Sequence, residues 1–487
     1  MTFEGAPVLL SGAGIVRSGI AIGAVFALAG LWTARRLVAE QGTRAAIWAA
    51  WGVGVPLLIL FSSWVAFGNL DRDLLHAAIA IALCAGFVVA GEMIGRAESP
   101  PLAGGTAVSF VLSGAGVALL FALHMAFSAG WTTVLLGAAL VLPALATRYR
   151  SYPVLGWLSA AGAAFVLFRF AIDPSIVGID ALSKTPVFNF LLPGYGVPAL
   201  GAAFAAWQLA RTTGGRPRLV MEAAACFFAL IGAAMLVRHA MNGGVLDAEV
   251  LTLAEQAIYT LIALGGSAIL IALDARSPSP VFRVGSMIVG LLSVAMVVIQ
   301  HFVVLNPLLT DESTGTIPFF NLLLIAYLLP ALAAGGVALL ARGRRPYWYV
   351  AVLALLSAVL AFVYATLSLR RLFQGEFIGS WREFGQVETY AYSALWLALG
   401  VALLVGGVFL RSQVLRIASA ALIVVAVAKV FLFDMSELEG VLRALSFIGL
   451  GIVLIGIGLF YQRMLTRAGS AAVPPPEPAA PAQSAAP

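Results

Sequence analysis

Six basic side chains stand near the ends of apolar runs: His124, Arg169, Arg238, His301, Arg370 and Lys429. A second polar series opens the runs that follow: Asn189, Glu255, Asn321, Glu388 and Glu439. Tyr259 and Tyr392 lie four residues beyond Glu255 and Glu388, on the same helical face. Arginine, histidine and lysine donate hydrogen bonds to an anionic or polyol-type ligand, and glutamate and tyrosine shape such a site. The same residues also suit a purely structural clasp. A helix C-terminus favours a cation and a helix N-terminus a carboxylate, so Arg238 beside Glu255 and Arg370 beside Glu388 match the local field twice. Tyr259 and Tyr392 serve equally as interfacial anchors, and Asn189 and Asn321 as helix caps. Both readings stay open on the sequence alone.

Other chemistry is absent from the pattern. The four histidines (His76, His124, His239 and His301) include no HxxxH or HExxH spacing, so no metal site is expected. No phosphate-binding glycine loop and no nucleophile elbow occurs, and no cofactor is expected. Cys84 and Cys226 are single residues in apolar runs and read as small core side chains. Arg17 belongs near the end of the first run, and Glu92 with Arg96 forms an i, i+4 pair at the other end of the third.

The elements that position these residues follow from composition. Of 487 residues, 62% are apolar and only 10% charged, which leaves too little polar surface for a water-soluble globule. The chain is an all-α polytopic membrane bundle. A net charge of +6 does not indicate nucleic acid, because the basic residues punctuate apolar runs instead of clustering. Fifteen runs are candidates for the roughly 20 residues a bilayer requires, the fifth being short. The first lies within Val8–Trp32, the fifth is Thr132–Ala146, the seventh Phe188–Ala210, the fourteenth Val414–Phe433 and the last Val441–Phe460.

Taking alternate loops from the first, 18 of the 28 Lys and Arg residues fall on one side, from Arg35 and Arg36 to Arg463 and Arg467. Only Glu40, Glu92, Glu98, Glu222, Asp274 and Glu477 of the acids join them. The positive-inside rule makes that side cytoplasmic, with the N-terminus outside and the C-terminus inside. The start of the chain, with Glu4 and no early basic residue, lacks a cleavable signal and is expected to stay. The Pro/Ala-rich end is expected to be a disordered cytoplasmic tail.

A repeat of about 132 residues organises the middle of the chain. The segment from Pro186 through Asn189, Tyr195 and Pro198 matches that from Pro318 through Asn321, Tyr327 and Pro330. Arg238 matches Arg370 at the same offset, and Glu255 with Tyr259 matches Glu388 with Tyr392 at 133. Four runs per copy give both copies one orientation. Each is expected to consist of hairpins turned at the acid-rich side. The resulting organisation is N-terminal helices over 1–150, one repeat over 151–278, a second over 283–411, a C-terminal hairpin over 412–467 and a tail over 468–487. Pro198 and Pro330 lie inside apolar helix, where a proline removes a backbone donor and kinks the chain. Paired kinks in two copies point to a transporter site or to packing.

The last block, from Lys429-Val-Phe-Leu-Phe-Asp434 through Glu437, Glu439, Ser446-Phe447 and Gly449 to Tyr461-Gln-Arg463, is the densest polar patch at a run end. Here the chain resembles the bacterial multi-pass membrane proteins grouped as domain of unknown function 2339. The repeated Asn-x-Leu-Leu-x-x-Tyr-x-x-Pro helices are similar to the same family, so the likeness extends roughly from Thr106 to Arg463. It implies an inner-membrane protein, with no activity or catalytic residue to carry over. The chain departs from longer members, which begin with a charged, coiled-coil-like stretch.

Three functions fit this pattern. One is a transporter-like protein with an outward-facing polar cavity between repeats. Another is an enzyme acting on lipid-linked envelope substrates, with Asp434, Glu437 or Glu439 as acid or base. The last is a non-catalytic envelope scaffold. The expected partners are the lipid bilayer and a small-molecule or lipid-linked ligand, not nucleic acid; the oligomeric state is not legible.

Overall fold

The structure is a computed structural model. It describes residues 12–431 apart from positions 69, 249, 319 and 410, together with scattered positions between 448 and 462. Every regular element among the described residues is helical. In chain order these are α1 (Gly12–Leu37), α2 (Gly42–Phe67), α3 (Leu74–Arg96), α4 (Thr106–Ala126), α5 (Ala129–Ala139), α6 (Val141–Ala146), α7 (Pro153–Ile172) and α8 (Leu191–Arg211). They continue with α9 (Gly215–Met241), α10 (Leu253–Arg276), α11 (Pro280–Met296), the short α12 (Pro307–Thr310), α13 (Leu329–Ala341), α14 (Tyr347–Gln374), α15 (Gln386–Phe409) and α16 (Gln413–Lys429).

Among the described residues, eleven helices are long and apolar enough to cross a membrane. Eleven of the fifteen expected runs fall on them. The other four differ for separate reasons. Thr132–Ala146 is split into α5 and α6 at Leu140, where Pro143 has no N–H for the carbonyl of Ala139. Phe188–Ala210 is α8, whose Pro193, Gly194, Gly196, Pro198 and Gln208 dilute its apolar character. Val414–Phe433 corresponds to α16, which is 17 residues long. Val441–Phe460 lies almost wholly outside the described residues.

The helices group into two compact units, one from the N-terminal side to Phe302 with Leu332–Ser357, the other Val303–Ala331 with the chain from Ala358 onward. In the first unit α1 packs on α2, α3 on α4, α8 on α9 and α10 on α11; in the second, α15 packs on α16. Four of these pairs are joined by turns of three or four residues with arginines in or beside them, and α3 and α4 by the nine residues 97–105. α9 also packs on α10, the pair expected to turn at the acid-rich side, but less extensively. A short turn favours two helices lying antiparallel side by side, whereas the loops over 173–190, 242–252 and 375–385 impose no such neighbour and need ties of their own.

Small residues set the packing. Without a hydrophobic drive between helices inside lipid, close backbone approach and dispersion hold a bundle together. A Cβ on Gly30 of α1 would sit 2.6 Å from the Gly52 Cα of α2. Around α7 the core is aromatic: Phe170 stacks on Tyr195 with centroids 4.2 Å apart and meets Phe228 edge-on at 5.2 Å. Pro198 packs against Gly137 of α5, and a Cβ on Gly201 one turn further would run into the Gly137 carbonyl oxygen. Pro198 is thus a packing element in α8. At the corresponding place before Pro330, the chain widens into a π-helical turn, Leu324–Leu328.

The Gly137 carbonyl is backbone and has no room to move aside. Gly201→Ala should therefore destabilise the protein by about 1–3 kcal/mol, the usual cost of overpacking. Thermal unfolding in mild detergent measures this, and a wild-type transition would contradict the close approach.

Candidate functional site

Arg238 ends α9 and Glu255 opens α10, so the two meet across the loop that joins their helices. The Arg238 Nη1 lies 3.0 and 3.1 Å from the two Glu255 carboxylate oxygens. Its Nε donates to the Leu246 carbonyl at 3.2 Å, and its Nη2 to the carbonyl of Ala248. Glu255 is fully buried. It also accepts from Asn242 at 3.0 Å and from the Tyr259 hydroxyl at 2.5 Å, while Thr252 caps its helix.

In the second unit the same chemistry recurs with different side chains. Arg370, 1% exposed, donates to Glu388 at 3.0 Å. Its Nε donates to the Ile378 carbonyl at 2.8 Å, and its Nη2 to Gly379 at 2.6 Å and Arg382 at 3.2 Å. The guanidinium also lies over the Phe384 ring, 4.2 Å from its centroid. Gln374 and Tyr392 complete the shell of Glu388 at 2.9 and 3.1 Å. In both clasps the arginine Nε reaches the carbonyl eight residues on, and a carboxamide one turn beyond the arginine joins the carboxylate. Deleting one partner of such a buried pair typically costs about 3–5 kcal/mol, because the other charge is stranded.

Three of the four remaining basic residues are tied to hydroxyls on an earlier helix. Arg169 donates to Thr133 at 2.8 Å, His301 lies 3.0 Å from Thr260, and Lys429 donates to Ser393 at 2.8 Å and to the Thr389 carbonyl at 2.9 Å. His301 sits in a π-helical stretch, Val297–Val304, that continues α11. His124 packs edge-on against Trp64. Asn189 accepts from the Leu191 N–H at 2.9 Å and Asn321 from the Leu324 N–H at 3.0 Å, so both bond the backbone where their helices begin. Asn189 also lies 3.0 Å from His239 Nδ1. Glu439, with Asp434 and Glu437, lies outside the described residues. Among the described residues, no three His, Cys, Asp or Glu side chains gather as a metal ion would require.

A cavity of about 840 Å³ opens beside the first clasp. Its polar end is formed by Asp173, Arg238, Asp247, Glu255 and Tyr259. Its long wall is hydrocarbon: Leu230, Ala234 and Met235 of α9, Ile262 of α10, and Val289 and Leu292 of α11. Asp173 is itself held, accepting from the Ser175 N–H at 3.0 Å and the Gly178 N–H at 3.1 Å.

The family model described as Predicted membrane protein (DUF2339) matches residues 8–464. The chain belongs to this family. No curated protein and no solved structure matches it. Family membership and the apolar helices together make it a multi-pass membrane protein. The Arg–Glu–Tyr groupings of this family member were readable from spacing. The partners Asn242, Gln374, Thr133, Thr260 and Ser393 were not singled out. The carboxamides carried a signal, since Asn242 and Gln374 stand four residues past Arg238 and Arg370 on the same helical face. The hydroxyls carried none, because Thr and Ser are common in apolar helices. Asp173 and Asp247 reach the cavity from loops, whose path no periodicity specifies.

A further tie lies outside the helices. Asp311 accepts from the Gly379 N–H at 2.6 Å and from Arg382 at 3.0 Å. The Arg382 hydrogen bond holds its carboxyl below the usual carboxylate range. A carboxyl with a depressed folded-state value contributes fully above the unfolded value of about 3.9, and the contribution is lost as pH falls through the folded one. The loop over 375–385 should therefore resist an acid-active protease at about pH 5 and be cleaved faster towards about pH 2. Asp311→Asn should show the faster cleavage already at the higher pH; equal rates across the range would contradict the tie.

Proposed function

We propose that this protein is a carrier-like component of the bacterial inner membrane that binds an amphiphile beside the first clasp. The observation that carries this reading is the cavity's polarity: one polar end, then a continuous hydrocarbon wall. A ligand with a polar head and an apolar tail matches both parts; a small hydrophilic solute matches only the end. The Arg238 donors are spent on Glu255 and on loop carbonyls, while Asp173 and Asp247 add negative charge. A polyol or amine head therefore fits better than an anionic one. The sparse polar lining favours a resident ligand held in one leaflet over a head group passing through the membrane.

The wider architecture belongs to the same proposal. Some fifteen spans, with two like-facing repeats over 151–278 and 283–411, place the clasps on the periplasmic side, the N-terminus outside and the C-terminus in the cytoplasm. The loop charge supports this orientation, and the matching shells of Glu255 and Glu388 support the repeat. The clasps themselves act structurally in this reading, binding each loop to its own helices.

Lipids retained by the full-length protein, purified in mild detergent and identified by mass spectrometry, test the proposal. The wild type should retain an amphiphile with a hydroxylated or amine head. Ala234→Trp, which fills the hydrocarbon wall, should lower its occupancy about tenfold, equivalent to some 1.4 kcal/mol of binding. Leu339→Trp, at a side chain 72% exposed, should not. An unchanged lipid complement in Ala234→Trp would overturn the proposal.

A further inference from the structure

A second groove, of about 770 Å³, lies between α1 and α2 and shares no residue with the cavity described above. The two helices approach closely at Gly30 and Gly52, and Gly30 lines the groove. Phe26 and Ala29 of α1 face Ile47, Trp48 and Trp51 of α2 across it, with Arg44 at its mouth. Ile47 and Trp51 are more than half exposed, as side chains facing lipid are.

The charge at this mouth is unbalanced. Arg35 and Arg36 close α1 and Arg44 stands in the first turn of α2. No carboxylate among the described residues is within ion-pair distance of any of the three. At other arginine-rich turns at least one guanidinium is neutralised by a neighbouring carboxylate, Arg96 and Arg150 by Glu92, Arg218 by Glu222, Arg345 by Asp274, although Arg148, Arg211, Arg276 and Arg344 form no ion pair among the described residues. Arg44 makes one side-chain bond, to Gln41 at 2.8 Å, which leaves most of its donors unspent. Arg36 lies 4.7 Å from the centre of the Trp32 ring, which holds its charge at the level of the indoles. The α2 N-terminus has no side-chain cap, so its own N–H groups and dipole add to the positive field.

From this placement we infer that the α1–α2 groove binds an anionic phospholipid, its phosphate on Arg44 and the α2 N-terminus and an acyl chain in the groove. Guanidinium groups grip phosphate oxygens through paired N–H donors, and indoles occupy the level where head groups meet hydrocarbon. A zwitterionic lipid supplies the same chain but brings an ammonium group towards three arginines that face one carboxylate, Glu40 of the intervening turn, a net excess of two positive charges.

Native mass spectrometry of the full-length protein titrated with phosphatidylglycerol or phosphatidylethanolamine tests the inference. The wild type should prefer phosphatidylglycerol. Arg44→Gln should weaken phosphatidylglycerol roughly fivefold, the effect of one interfacial cation, and abolish the preference. Ile47→Trp should weaken both lipids by filling the groove with the charge intact. Arg148→Gln, an exposed arginine on a different turn, should change neither. Equal binding of the two lipids by the wild type, unchanged phosphatidylglycerol binding in Arg44→Gln, or an equal loss in Arg148→Gln would overturn it.

Discussion

A carboxylate buried in an apolar helix bundle is tolerated only if its charge and its lone pairs are satisfied within the protein. Glu255 and Glu388 meet that demand in the same way. Each accepts from an arginine on the preceding helix, from a carboxamide one turn past that arginine, and from a tyrosine one turn past itself. The arginine in turn spends its other donors on carbonyls of the intervening loop. One ion pair thus fixes two helix ends and the path of the chain between them.

This constraint explains the contrast between the two ends of the helices. At the arginine-rich end short turns hold neighbouring helices together by connectivity, and glycine contacts such as Gly30 against Gly52 bring them close. From α7 onward the loops at the acid-rich end are longer, and clasps supply what connectivity does not. The ties of Arg169, His301 and Lys429 to hydroxyls on an earlier helix, and of Asp311 to Arg382, serve the same need. The first clasp differs in also bordering a cavity. Arg238 remains 16% exposed at the side chain where Arg370 is 2% exposed, so one clasp borders open space while the other is sealed by its loop and Phe384.

Much of this was legible in the sequence. Apolar runs gave the helices, because lipid forces backbone polar groups to pair within each segment. The Arg–Glu–Tyr spacings gave the clasps, because four residues return a side chain to the same helical face. The break at Leu140 and the dilution of α8 were missed, since counting apolar residues ignores what Pro143, Pro193 and the glycines do to a helix. Which helices pack most closely was also missed, because loop charge reports sidedness and not neighbours. The cavity and the α1–α2 groove were beyond reach, as each depends on faces of helices distant in sequence.

The clasp carries the account, and a double-mutant cycle at Arg370 and Glu388 tests it most directly. Unfolding free energies in mild detergent for Arg370→Met, Glu388→Gln and the double variant would be compared with the wild type. Each single change should cost about 3–5 kcal/mol, and the double change clearly less than their sum, because the second substitution removes the charge that the first strands. Small, additive losses would show that the fold does not depend on the pair.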